Sequence, residues 1–167
     1  MPCFFLTFAL TKTDQAMSHL RPATPFDATF VRRCASAAYA PYVERIGRTP
    51  APMVADFEQH IRQGEVTIAE SADGKPCGYI ICRALADHVL LENVAVDPAQ
   101  HGEGHGRRLI RHVESLARNE GIALVRLYTN IHMRENLSFY PALGYRETGR
   151  RHEDGFDRVY YEKRVGR

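Results

Sequence analysis

The stretch that decides the fold runs Glu92-Asn93-Val94-Ala95-Val96-Asp97-Pro98-Ala99-Gln100-His101-Gly102-Glu103-Gly104-His105-Gly106-Arg107-Arg108-Leu109. An apolar strand feeds a turn with glycine at alternate positions, and a helix begins at once. Glycine has no side chain, so its backbone N–H can approach an anion closely. The new helix adds its own unpaired N–H groups and the positive end of its dipole. Arg107 and Arg108 bring charge to the same place. The segment therefore predicts a site for phosphate oxygens, with a bare strand-to-helix turn as the plainer alternative.

Two familiar phosphate motifs do not fit. A P-loop needs Lys and then Ser or Thr after its last glycine, and here Arg107 and Arg108 follow Gly106. A Rossmann fingerprint needs G-x-G-x-x-G, and its third glycine falls on Arg107 in one register and Leu109 in the other. His101 and His105 do not form the H-E-x-x-H of a zinc helix, because glycines interrupt it. No metal site is expected.

Working outward, Val66–Glu70 and Gly78–Leu85 alternate as strands around the turn Ser71–Lys75, and Val89–Asp97 is a third strand. Arg107–Asn119 is an amphipathic helix closed by Gly121. Ile122–Thr129 is a strand, Arg134–Pro141 a short helix, and Gly144–Gly149 with Gly155–Lys163 a closing hairpin. Upstream, His19–Ala23 is a short strand, and Thr24, Pro25 and Asp27 open a helix over Ala28–Tyr39. Pro41 is expected to interrupt it. Met53–Gln63 reads as a second helix ended by Gly64. The sum is a single central, mostly antiparallel sheet flanked by helices, of mixed α/β (α+β) class.

The 167 residues make one domain, and a net charge of +2 argues for neither nucleic acid nor an anionic membrane as partner. Cys3, Cys34, Cys77 and Cys82 show no C-x-x-C spacing and read as reduced thiols, which points to the cytoplasm. Cys34 lies on the apolar face of its helix, where an inert thiol is expected rather than a nucleophile. Residues 1–16 read as a disordered extension, with Met17 as the natural start and 17–167 as the domain.

Glu92–Arg111 resembles the acetyl-CoA motif of the GNAT N-acetyltransferases: strand, Gln/Arg-x-x-Gly-x-Gly/Ala, helix. His101 stands where that family has Gln or Arg. Asn136–Tyr145 (NLSFYPALGY) is similar to the family's second motif, with Tyr140, Gly144 and Tyr145 aligned and Met133 at the place of the early Asn. The resemblance spans roughly residues 18–163 and implies a sheet that splays open after Val89–Asp97. It implies that acetyl-CoA is held by Val94, Ala95 and Val96 along its pantetheine arm. Gly102, Glu103, Gly104, His105, Gly106 and Arg107 would hold its pyrophosphate, with Asn130 and Asn136 as further contacts.

The implied activity is direct transfer of an acetyl group to a primary amine, with a small molecule or a peptide as acceptor. An amine of pKa roughly 10.4 is protonated near neutral pH, so a base must take its proton. Glu92, on the splayed strand, is the candidate base, although it also reads as a charge on a solvated strand face. Tyr140 is the candidate acid for the departing thiolate, with an aromatic core residue as its alternative. Tyr39, Tyr42, Arg45 and Asn93 are candidate acceptor contacts. A catalytically silent acetyl-CoA sensor is the competing reading, and a nucleotide-binding module using the same turn is a third. A homodimer is left open, since no residue argues for one.

Overall fold

The computed structural model describes residues 19–166. The predicted extension over 1–16, the proposed start at Met17, and Cys3 lie outside them. The elements are β1 (Leu20–Pro22), α1 (Ala28–Ile46), α2 (Phe57–Arg62), β2 (Val66–Glu70), β3 (Pro76–Ala84), β4 (Val89–Val96), α3 (His105–Asn119), β5 (Leu124–Asn130), α4 (Arg134–Ala142), β6 (Arg146–Glu153) and β7 (Phe156–Arg164). Seven strands form one sheet in the order β1-β2-β3-β4-β5-β7-β6. Every neighbouring pair is antiparallel except β4 and β5, which α3 connects in parallel. This is the mixed, mostly antiparallel sheet expected from the sequence.

Apolar side chains cover the sheet on both faces. Leu109, Ile110, Val113 and Ala117 of α3 bury one side of their helix against Ile80, Leu91, Val125 and Leu127. The helical spacing of those four residues is what creates the apolar stripe. On the other face, Val31, Cys34, Ala35 and Tyr39 of α1 join Phe57 and Ile61 of α2 over Ile68, Tyr79 and Ile81. Cys34 is fully buried there, and burial pushes its thiol up to about 12, as an inert thiol requires.

Three boundaries differ from the sequence reading, each for a physical reason. α1 runs through Pro41 to Ile46 and stops at Gly47, whose φ of 78° is left-handed. Proline removes one hydrogen bond, but Tyr42 and Ile46 continue the packed face beyond it. The second helix begins at Phe57 rather than Met53, because the Asp56 carboxylate accepts the Gln59 N–H at 2.9 Å and caps it. α3 begins at His105, two residues before the expected Arg107.

β4 holds the feature that shapes the site. It pairs with β5 only over Val89–Leu91, opposite Val125–Leu127, and the two strands part beyond that point. At the same place the β3 register slips, with Ile81 opposite Asn93 but Cys82 opposite Leu91. Glu92 is the extra residue of a β-bulge. The bulge changes which residues face which helix. Val89 and Leu91 pack on the α3 side, yet so do Val94 and Val96, while Ala95 faces α1.

The two edges of the β3–β4 pair are close-fitting. A Cβ at Gly78 would lie 2.8 Å from the Ala95 carbonyl oxygen and 3.3 Å from the Val96 Cα. Gly78→Ala is therefore expected to cost about 1–3 kcal/mol, read as a lower urea midpoint. At the entry to α1, Asp27 accepts from both ends of the Arg21 guanidinium at 2.9 Å and from the Thr24 N–H at 2.7 Å. Arg21, above all, holds the Asp27 carboxyl down to about 2. A depressed folded-state pKa contributes stability above the unfolded value and loses it as pH falls through the folded value. Asp27→Asn should lower stability by about 2 kcal/mol near neutral pH. That deficit should shrink as pH falls from about 4 towards about 2. Urea titrations across that range check it, and a deficit constant with pH would contradict the assignment.

Candidate functional site

Two cavities meet at the point where β4 and β5 part. The outer cleft, about 740 Å³, lies between β4, the α3 entry and α4. The inner cavity, about 120 Å³, lies under the loop at Pro50–Pro52 and the β7 entry at Phe156 and Arg158. Tyr39, Val94, Asn136 and Tyr140 line both. A group bound in one can therefore reach a group bound in the other across these four residues.

The outer cleft is built from unpaired backbone. Asp97 donates its N–H to the Cys77 carbonyl at 2.8 Å, so alternation along the strand turns the polar groups of Val94 and Val96 away from β3, towards the gap. The Tyr39 hydroxyl donates to the Val94 carbonyl at 2.8 Å, and His101 Nε2 lies 3.0 Å from the Val96 carbonyl. His101, the poorest match to the motif, is thus employed on the strand edge itself. Gly102 and Gly104 have φ of 85° and 82°, which a residue with a side chain adopts at a cost. Gly106 stands in the helix, and a Cβ there would meet Phe139 and Val96 only in ordinary contact.

The turn leaves a row of donors free. His101 bonds back to Pro98, and the next backbone N–H with a backbone partner is that of Arg108, on Gly104 at 3.1 Å. Among the described residues, the N–H groups of residues 102–107 have none. With the α3 dipole behind them, these donors favour an anion. Gly102, Gly104, His105, Gly106 and Arg107 line the cleft. Glu103 does not; its carboxylate lies 3.1 Å from His105 Nε2.

The inner cavity is walled by apolar and polar side chains together. Glu92, Asn93, His60, Thr129 and Asn130 line it. Adjacent strand residues ordinarily point to opposite faces, but the bulge lets both Glu92 and Asn93 face the same cavity. Asn93 is buried and hydrogen-bonded at both its amide oxygen and its amide nitrogen. Its amide oxygen receives the Tyr79 hydroxyl at 3.0 Å and the Tyr39 hydroxyl at 3.2 Å, and its nitrogen donates to Pro52 at 3.2 Å. Glu92 lies 2.9 Å from Arg83 Nη2, an ion-pair distance without hydrogen-bond alignment.

The other predicted residues divide between the two spaces. Asn136 donates to Thr129 Oγ1 at 2.9 Å at the junction, whereas Asn130 lines only the inner cavity. Tyr42 lines the outer cleft instead of the inner one. Arg45 lines neither; it is exposed and paired with Glu135 at 2.8 Å. Tyr140 is buried among Phe139, Tyr145 and Tyr161, and its hydroxyl has no hydrogen-bond partner among the described residues. Burial, with Tyr42 and Tyr161 nearby, pushes its phenol above the usual tyrosine range, so it keeps its proton at neutral pH.

His60, Tyr128, Met133, Phe156 and Arg158 also line the inner cavity, and none is among the candidate site residues named from the sequence. His60 comes from α2, Tyr128 from β5, Met133 from the residue before α4, and Phe156 and Arg158 both from β7, brought together by tertiary packing with no local motif. Arg158 stacks over Tyr128 at 4.5 Å and is held by Glu153 and Asp154, each at 3.1 Å. Among the described residues there is no cluster of three or more His, Cys, Asp or Glu side chains placed to hold a metal. Nor does any described helix have the length and apolarity to cross a membrane.

Comparison with known proteins agrees with this geometry. The model of the Acetyltransferase (GNAT) family matches residues 32–145. The ribosomal protein bS18-alanine N-acetyltransferase of Escherichia coli (strain K12) is 30% identical over 95 residues, 57% of this chain and 60% of that protein. The match thus spans less than two thirds of that relative's length. The crystal structure of the ribosomal-protein-S18-alanine N-acetyltransferase from Escherichia coli superposes with a TM-score of 0.72 at 21% identity, covering 90% of this chain and 96% of that one. The PaiA N-acetyltransferase of Thermoplasma acidophilum, solved in complex with coenzyme A, gives 0.73 at 18% identity over 87% and 98% of the two chains. These likenesses establish the fold, and the family model matches more than half of the sequence: the chain belongs to the GNAT family of acetyltransferases.

Proposed function

We propose that the protein is an acetyl-CoA-dependent N-acetyltransferase that moves an acetyl group directly to a primary amine. The observation that carries this reading is the meeting of two cavities at Tyr39, Val94, Asn136 and Tyr140. Two substrates held in adjoining spaces need no covalent enzyme intermediate, because proximity supplies much of the rate. The free N–H groups of Gly102–Arg107 fit a pyrophosphate, and the unpaired edge of Val94 and Val96 fits an extended amide-bearing arm. Acetyl-CoA supplies the activated acyl group as a thioester.

The residues at the junction divide the proton work. Glu92 takes a proton from the incoming ammonium group on the inner side. Tyr140, protonated and with no hydrogen-bond partner among the described residues, faces both cavities; it gives a proton to the departing sulfur and is reprotonated, through solvent, by the second proton that the nitrogen loses as the amide forms. Asn93 does not act on the proton; its three hydrogen bonds fix Tyr39 and the Pro52 loop around the inner cavity. Tyr39 and Asn130 shape the wall that the acceptor meets. The acceptor is a small-molecule or peptide amine. A peptide has support in the bS18-alanine activity named for the Escherichia coli relative. The buried, reduced cysteines suit a cytoplasmic enzyme.

Release of free CoA from acetyl-CoA, followed with a thiol reagent across a panel of amines and N-terminal peptides, tests the reading. Acceptor-dependent release is expected. Tight acetyl-CoA binding with no release for any acceptor would favour a silent sensor instead. Tyr140→Phe should lower kcat by roughly 10²-fold with little change in acetyl-CoA affinity, since only the phenolic proton is removed. Unchanged turnover at saturating substrates would remove Tyr140 from the chemistry. Glu92→Gln should lower kcat/KM for the amine by a similar factor, read from initial rates.

A further inference from the structure

A second titratable side chain faces the inner cavity beside Glu92. His60 Nδ1 lies 2.6 Å from Glu65 Oε2, and His60 Nε2 lies 3.9 Å from Glu92 Oε1. A carboxylate oxygen accepts, so Nδ1 carries the proton shared with Glu65, and Nε2 is the ring nitrogen turned towards Glu92. The arrangement is built by the turn between α2 and β2. Gly64 takes a φ of 71°, Glu65 donates its N–H to the His60 carbonyl at 3.0 Å, and Cys82 donates to the Glu65 carbonyl at 3.0 Å. Both side chains are largely enclosed, His60 at 15% and Glu65 at 17% exposure.

The other end of the string explains why a second acceptor is useful. The Glu92 carboxylate is the charge partner of Arg83 at 2.9 Å. A proton left on Glu92 cancels that ion pair, and passing the proton on restores it. We propose that Glu92, His60 and Glu65 form a proton relay, a reading that rests on the acetyltransferase assignment above. The ammonium N–H bond breaks and Glu92 takes the proton. Glu92 then passes it to His60 Nε2, by one water or by rotation of the carboxylate across the 3.9 Å gap. The imidazolium so formed pairs with Glu65 and later gives one proton to solvent. No electrons change hands, and each group returns to its starting state. His60 acts through Glu92 and is a positioning and relay residue, not one that touches the substrate.

Among the described residues, Glu65 faces His60 from the position before β2 and Glu92 from β4, with Arg83 of β3 behind Glu92. On its own helix, Glu58 is engaged by Arg32 of α1 at 2.6 Å, and Arg62 is exposed.

The pH dependence of kcat/KM for an amine, measured on the full chain, tests the relay. In the unsubstituted protein, a limb in the histidine range is expected. His60→Gln should lower kcat/KM by roughly 10²-fold and remove that limb, with the KM for acetyl-CoA unchanged. Glu65→Gln should move the limb to lower pH. A His60→Gln enzyme that keeps the profile and a rate within about twofold would overturn the relay. NMR of the His60 ring nitrogens judges it without turnover and without altering His60. The Nδ1–H tautomer is expected, with a His60 midpoint that falls in both Glu65→Gln and Glu92→Gln. The Nε2–H tautomer, or a midpoint indifferent to Glu92→Gln, would overturn the relay. Absence of turnover with every amine in the unsubstituted protein would instead count against the acetyltransferase reading, and the NMR result would still decide the relay.

Discussion

The parting of β4 from β5 after Leu91 and Leu127 is the constraint on which the rest of the site depends. A central strand normally spends its polar groups on both neighbours. Here β4 keeps β3 along its whole length and loses β5 halfway, which leaves Val94 and Val96 with one face of their backbone unsatisfied by the sheet. Unpaired backbone inside a protein is costly unless something supplies partners. Tyr39 and His101 supply two of them, from α1 and from the turn before α3. The remaining edge opens onto a cleft large enough for an extended ligand, and the glycine turn closes its far end with a further row of free donors.

The bulge at Glu92 and the parting of the strands act together. With plain alternation, Val89, Leu91, Asn93 and Ala95 would share one face. The extra residue lets the α3 face keep Leu91 and then Val94, so the apolar cover of that side is unbroken. The same slip gives the α1 face Glu92 and Asn93 side by side. One residue of irregularity thus maintains the core on one side and gathers polar chemistry on the other. Asn93 is consumed by the Tyr79, Tyr39 and Pro52 bonds. Glu92 remains less confined, between Arg83 and His60.

Much of this was legible in the amino-acid order, and the reason is locality. The glycine turn, the strand before it and the amphipathic helix after it are encoded in neighbouring residues, as is Tyr140 within its short helix. The mixed sheet also followed from alternation and turn residues. The errors came where tertiary packing overrides a local signal. Pro41 argues for a break, but the packed face of Tyr42 and Ile46 carries α1 past it. Arg45 stays over the Tyr42 ring at 5.4 Å, with its guanidinium exposed and paired with Glu135 instead of lining either cavity. His60 carried no signal at all, because its meaning arises from Glu65 across a turn and from Glu92 on a strand thirty-two residues later.

On this reading the unpaired β4 edge and the glycine turn together receive the acetyl donor. Amide hydrogen exchange with and without acetyl-CoA tests it most directly, because it reads the backbone groups themselves. Slower exchange is expected at Val94, Val96 and residues 102–107 when acetyl-CoA is added, with β6 and β7 little changed. Acetyl-CoA that binds yet leaves the exchange of Val94, Val96 and the glycine turn as it was would contradict it.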